Sequence, residues 1–355
     1  MVRITGNFQS ETALNSLAAQ ALHAALDNGW ADPKKIGQSP NRAANLRNSA
    51  LESIATNLGI KADQIEITGE VGLGYFLSLG GFLTPQRNLF YGAGDRSGVI
   101  ATARSHQGSS LIIPLSSNGT LNFSDVNFTP NSVLSFQLAN GETGAINKLP
   151  PQLPEGLLIA VDATASGNRQ PLPEKWSSAV FDSRSWEGPA GLAVVAIADA
   201  ANWKNPLPHI SAVRRTYGTF SLPLLIASAV ALENFAPDDQ SIRAMNAKLR
   251  LEITQAIPNA HVAGDLEGST PQFISLIFPG CNGEEVLRGL SARGLSVDSG
   301  SACTAMNLQP SHVLAAMGLP TDGNIRITLH AETTVEEVDL LINALVDEVR
   351  SQQQR

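Results

Sequence analysis

The amino-acid sequence predicts an α/β protein built on a mostly parallel sheet, followed by a smaller α+β unit. Short, almost uninterrupted apolar runs such as Leu157-Leu158-Ile159-Ala160-Val161 and Ala190-Gly191-Leu192-Ala193-Val194-Val195-Ala196-Ile197 alternate with polar or helical stretches. Strands buried on both faces and joined by crossovers have this pattern. At 355 residues the chain also exceeds what one core commonly organises, roughly 250 to 300 residues. Beyond Ala236-Pro237-Asp238-Asp239, a turn composition that reads as a boundary, the pattern becomes alternating helices and strands of a compact α+β unit.

Apolar residues spaced three and four apart predict helices over Glu11 to Asp27 and Asn41 to Leu58, with Ser39 and Pro40 as start signals for the second. Ile65 to Thr68 is a short strand running into the loop Gly69-Glu70-Val71-Gly72-Leu73-Gly74, and a helix is expected from Tyr75 to Phe82. Further strands fall at Asn88 to Tyr91, Ser110 to Leu115, Ser132 to Phe136 and Ala179 to Phe181, and an apolar helix covers Leu222 to Phe235. The C-terminal part reads as helix Gln240 to Ala256, strand Phe273 to Phe278, helix Glu284 to Arg293, a loop around Cys303, strand Asn324 to Leu329 and helix Val335 to Gln352. No internal repeat or low-complexity tract occurs.

Composition excludes several classes. The 24 Lys+Arg against 32 Asp+Glu give a net charge of −8, and no basic patch stands out, which disfavours nucleic acid and anionic membranes as partners. Met1 to Ser10 lack a signal-peptide pattern and no run of about 18 apolar residues occurs, so a soluble, cytoplasmic protein is expected. Two cysteines, Cys281 and Cys303, are too few for a disulfide framework, and neither they nor the six histidines have zinc-ligand spacing. No metal is expected. The glycines of 69–74 have the outward form of a dinucleotide loop, but their spacing is wrong.

The segment Ser296-Val297-Asp298-Ser299-Gly300-Ser301-Ala302-Cys303, then Pro310-Ser311-His312-Val313-Leu314, Met317-Gly318 and Arg326, places a thiol in a small-residue loop ahead of a short helix and an arginine-bearing strand. Such a loop leaves a thiolate exposed enough to exchange sulfur. This order and spacing resemble the sulfur-carrying end of the cysteine desulfurases, the class V branch of the fold-type I pyridoxal-phosphate transferases. The resemblance implies a large domain over residues 10–235, with a seven-stranded-type sheet, and a small domain formed by 1–9 and 236–355. It further implies a persulfide carrier at Cys303, substrate-binding roles for Arg326 and Asn140, and a homodimer whose subunits share the cofactor pocket.

Upstream landmarks continue the resemblance. Gly69 falls in the family's phosphate loop, Asp162 where an aspartate pairs with the pyridinium nitrogen, and Thr219 where a residue reaches the neighbouring subunit's phosphate. The Schiff-base lysine, which in the family precedes a Gly-Pro-Lys-Gly turn, is matched by Ser185 ahead of Gly188-Pro189-Ala190-Gly191. An imine needs a primary amine, and the nearest lysine in sequence, Lys175, lies beyond a strand. The stacking histidine is matched by Arg96 beside Asp95, the ring-contacting glutamine by Ala165, and Glu70 brings a carboxylate to the phosphate loop, where it would repel a phosphate. The expectation is therefore a desulfurase-like protein that works with no cofactor and has lost desulfurase chemistry. It would act as a scaffold or sulfur-relay partner through Cys303, toward an active paralogue or a sulfur acceptor. Two alternatives stand beside it: an active desulfurase or lyase using a substitute lysine or non-covalent pyridoxal phosphate, and an unrelated enzyme or binder taking a carboxylate ligand in the old pocket.

Overall fold

The computed structural model describes residues 5–207, 220–300 and 310–354. Along the chain come β1 (Asn7–Phe8), α1 (Ser16–Asn28), α2 (Gln38–Leu58), β2 (Ile65–Thr68), α3 (Val71–Gly80), β3 (Asn88–Gly92), α4 (Ser97–Ser105) and β4 (Ser110–Ile113). Then follow β5 (Ser132–Gln137), β6 (Leu158–Asp162), β7 (Ser178–Asp182), β8 (Ala193–Ile197), α5 (Leu222–Glu233) and α6 (Asp239–Ala256). The last elements are β9 (His261–Ala263), β10 (Phe273–Ile277), α7 (Gly283–Ala292), β11 (Ser296–Ser299), α8 (His312–Ala316), β12 (Asn324–Thr328) and α9 (Val335–Gln353).

Seven strands form the large sheet in the order β2-β8-β7-β6-β5-β3-β4. The β3-β4, β3-β5, β5-β6 and β6-β7 pairs are parallel, while β8 runs against both β7 and β2. The apolar runs form strands here because each residue has a buried layer to enter. In β6, Ile159 and Val161 join the cluster under α1, α2 and α5, and Leu158 and Ala160 join the one under α3 and α4. Successive side chains point to opposite faces, so a strand covered twice is apolar at every position.

The second sheet has the order β1-β11-β12-β10-β9, antiparallel except for β1 with β11. Side chains of α6, α7 and α9 cover one face, with Leu249, Leu290 and Leu345 fully buried. The N-terminal strand therefore belongs to the C-terminal sheet. No helix among the described residues is long and apolar enough to cross a membrane.

Several boundaries differ from the sequence expectation. The first helix begins at Ser16 rather than Glu11, because the Asn15 side chain accepts from the Leu17 and Ala18 amides. The second begins at Gln38, so Pro40 lies inside its first turn, where proline costs no intrahelical bond. The residues 71–74, read as loop, are the first turn of α3. Helix α4 and the short strands β9 and β11 were not expected as elements; β11 occupies the segment read as the start of the cysteine loop. Ser311 caps α8, and the His312 imidazole Nε2 meets the Asp95 carbonyl at 3.0 Å.

Candidate functional site

The parallel strands β3, β5, β6 and β7 all deliver their C-terminal ends to one side of the large sheet, where open α/β sheets place their ligands. The loop after β3 brings Asp95 and Arg96, the loop after β5 Asn140 to Glu142, β6 ends on Asp162, and β7 ends on Asp182. Arg326 of β12 closes the site from the second sheet. All of these groups except the buried Asp162 line two adjoining cavities of about 220 and 420 Å³, Arg96, Glu142 and Arg326 bordering both.

Asp162 is buried and its Oδ1 accepts from the Thr164 amide at 2.9 Å and the Thr164 hydroxyl at 2.7 Å. Tyr75 of α3 shares that hydroxyl, its phenol lying 2.7 Å from Thr164 Oγ1. Burial, with Arg96 opposing it, raises the Asp162 pKa above the carboxylate range, since low dielectric disfavours the charged form. Ser185 lies in a short 3-10 turn, Ser183–Trp186, its hydroxyl donating to the Asp182 carbonyl at 2.7 Å. Arg184 is held by Asp182, Nη2 to Oδ2 at 2.7 Å, and reaches Glu11 at 3.2 Å. The next residue, Glu187, has φ +58°, a left-handed conformation that side chains rarely adopt.

Of the sequence-derived candidates, Asp162, Ser185, Asn140 and Arg326 gather around this cleft, and Gly69 lies at the start of α3. Asn140 spends its polar atoms within the loop: Oδ1 accepts from the Glu142 and Thr143 amides, and Nδ2 donates to the Gly94 carbonyl and to Gln137. Arg326 Nη2 donates to the Ser299 carbonyl at 3.2 Å, and Nη1 lies 4.0 Å from Glu142. Cys303 and Thr219 lie outside the described residues. Cys281 is a buried free thiol away from the cleft, its pKa pushed up by burial.

The sequence expectation noticed Arg96 and Glu70 only as departures from a family pattern. In the structure each has a definite position. Glu70 caps α3, its two oxygens accepting from the Gly72 and Leu73 amides at 2.7 Å each. Arg96 crosses the cleft so closely over Gly141 that a Cβ there would fall 2.0 Å from Nη2. The signals available were a carboxylate immediately before an apolar helix, and a charged pair among glycines.

A mixed sheet of this order with strand-end acids, beside a small antiparallel sheet, defines the architecture of fold-type I transferases. Residues 77–341 match the family model of the class-V aminotransferases, and the chain belongs to that family. It is 30% identical over 227 residues to the cysteine desulfurase NifS of Azotobacter vinelandii, covering 59% of this chain and 56% of that protein. A cysteine desulfurase of Nostoc is 29% identical over 252 residues, covering 66% and 63%. The matched part thus spans less than two thirds of these relatives' length. A solved NifS-like protein superposes with TM-score 0.83 at 20% identity, covering 96% of this chain and 98% of that one; the cysteine desulfurase CsdA of Escherichia coli gives 0.77 at 15%, covering 99% and 95%.

These findings overturn the expectation that no cofactor is used. Cysteine desulfurases are pyridoxal-phosphate enzymes, and the likeness across the chain points to that group. The described side chains, as arranged, do not fit it in the family's manner. The α3 N-terminus, where a phosphate would draw on free amides, is already satisfied by Glu70. Asp162 is engaged by Thr164 and faces Arg96, and residue 185 has no amine.

Glu70→Ala tests the first point. Losing the cap is expected to cost about 1 kcal/mol in urea denaturation, while freeing two amides should tighten pyridoxal phosphate severalfold in a fluorescence titration. Affinity that is unchanged or weaker would show that the carboxylate does not compete for that site.

Proposed function

We propose that this chain is a sulfur-transfer protein of the cysteine desulfurase type in which pyridoxal phosphate is held without a covalent bond to residue 185. The desulfurase reaction that depends on that bond is lost, and the chain serves as a scaffold or relay through Cys303. The observation that carries this reading is the chemistry of residue 185: Ser185 has a hydroxyl already spent on the Asp182 carbonyl, and among the described residues no lysine lines either cavity. A covalent link requires a primary amine within reach. Gly300 and Pro310 line the larger cavity with Arg326. The proposed roles of Arg326 and Asn140 differ: Arg326 borders both cavities, whereas Asn140 borders only the larger one, and its polar atoms hold the Asn140–Thr143 turn.

The same reading divides the chain into residues 10–235 and a second unit of 1–9 with 236–355, which the pairing of β1 with β11 supports. It also takes the working form to be a homodimer, as the resemblance implies, and to lie in the cytoplasm, as the composition leads one to expect.

The experiment is reductive trapping. Borohydride treatment in the presence of pyridoxal phosphate, followed by intact-mass measurement, is expected to leave the native chain unmodified and to add one cofactor mass to Ser185→Lys. A stoichiometric adduct on the native chain, with alanine released from cysteine, would establish the working enzyme instead. For the relay, Cys303→Ser should abolish acceptance of persulfide sulfur from an active desulfurase.

A further inference from the structure

Arg96 stands before α4 with its Nε sealed from water and without a partner. Among the described residues its guanidinium makes neither a hydrogen bond nor an ion pair, although it borders both cavities. The acids near it are committed elsewhere. Asp162 is held by Thr164 and Asp182 by Arg184, while Tyr75 points its hydroxyl at Thr164. Burial would lower the Arg96 pKa, but Tyr75, Asp162 and Asp182 outweigh both it and the repulsion of Arg184, so the side chain stays charged.

A guanidinium offers five N–H donors in a planar fork, and leaving them unspent in a partly dry cleft costs far more than pairing them. The opposite wall is fitted to it: Gly141 has no side chain where Nη2 passes. A planar two-oxygen anion would pair with such a fork through two parallel hydrogen bonds.

We infer that Arg96, lying over Gly141, is the recognition element of a binding site for a small carboxylate ligand. Arg326 borders the same cavities, but its guanidinium already donates to the Ser299 carbonyl, and the Arg96 fork requires neither Cys303 nor a cofactor.

The probe is malonate, titrated calorimetrically into the purified chain against sodium chloride of equal ionic strength. Binding is expected in the native chain and should weaken roughly tenfold to a hundredfold in Arg96→Met. Gly141→Ala keeps the charge but puts a methyl where the guanidinium lies, and should weaken binding at least tenfold without loss of fold by circular dichroism. No binding to the native chain, or binding unaltered in Gly141→Ala and Arg96→Met, overturns the inference; so does loss in Arg326→Ala with Arg96→Met unaffected. None of these measurements reads the bond at residue 185 or sulfur on Cys303, so failure here and failure of the functional reading are distinguishable.

Discussion

Gly323→Ala should destabilise the protein by roughly 3 kcal/mol or more in equilibrium denaturation. Gly323 precedes β12 with φ +62°, and a Cβ there would fall 2.1 Å from the Phe278 carbonyl oxygen and 3.2 Å from that of Cys281. Both obstacles are backbone, so no rotamer change relieves them. The left-handed conformation adds about 1 to 2 kcal/mol for a residue with a Cβ, and forced overpacking typically costs about 1 to 3 kcal/mol more. Phe278 also donates its amide to the Gly323 carbonyl at 3.1 Å, so relief by moving the turn breaks a bond that fixes β10 against β12. Arg326 sits three residues on and moves with it. Gly156→Ala is the control: its φ is +81° but nothing lies within 4 Å of the added methyl, and about 1 kcal/mol is expected. Equal losses in the two variants would refute the steric account.

A falling stability from pH 5 to pH 8 is the second large effect, with Asp95 as one source beside Asp162, whose burial pushes its pKa up as well. The Asp95 carboxyl is 1% exposed, and Oδ2 accepts from the Gly92 amide and the Ser135 hydroxyl while Oδ1 has no partner. Burial, reinforced by the charge of Asp162, pushes its pKa up to about 7, against the two hydrogen bonds that lower it. In the unfolded chain it titrates near 3.8. Between these values the native state holds a proton that the unfolded state has released, so unfolding free energy decreases as pH rises. The contribution is complete below the unfolded pKa and gone once pH has passed about 7. About two pH units of this window lie above pH 5, a difference of about 2 to 3 kcal/mol. Urea titrations at pH 5 and pH 8 should show at least that loss in the native chain and a loss smaller by about 2 to 3 kcal/mol in Asp95→Asn. Parallel curves for the two proteins would assign the slope to other groups.

What the sequence made legible follows from how much of each element's character is local. The all-buried strands β5, β6 and β7 and the apolar helix α5 need no tertiary information, because a doubly covered strand is apolar throughout. The start of α3 was hidden: Gly69-Glu70-Val71-Gly72 has loop composition, and only the Glu70 cap makes its glycines helical. Strand β11 was hidden likewise, since Ser296-Val297-Asp298-Ser299 buries only alternate residues and acquires its form from pairing with β1 and β12. At the site, Asp162 was legible as a strand-end position, whereas Asp182, just past the strand read to end at Phe181, was not. Arg96 was not legible as a cleft residue, because its course over Gly141 depends on two loops 45 residues apart. The expectation of no cofactor failed for a related reason: it counted missing side chains one by one, whereas the family is defined by likeness over most of the chain.

The seating of β1 has a consequence for biosynthesis. Phe8 is fully buried against the C-terminal sheet, and the Thr5 and Gly6 amides bond to Glu337 at 2.5 and 3.0 Å. Strand β11, its neighbour, is almost three hundred residues downstream. During translation β1 leaves the ribosome long before β11 and is therefore among the last strands to find its place, and closing so long a span is entropically expensive. The nascent α1 and the large sheet must therefore form while β1 is still undocked.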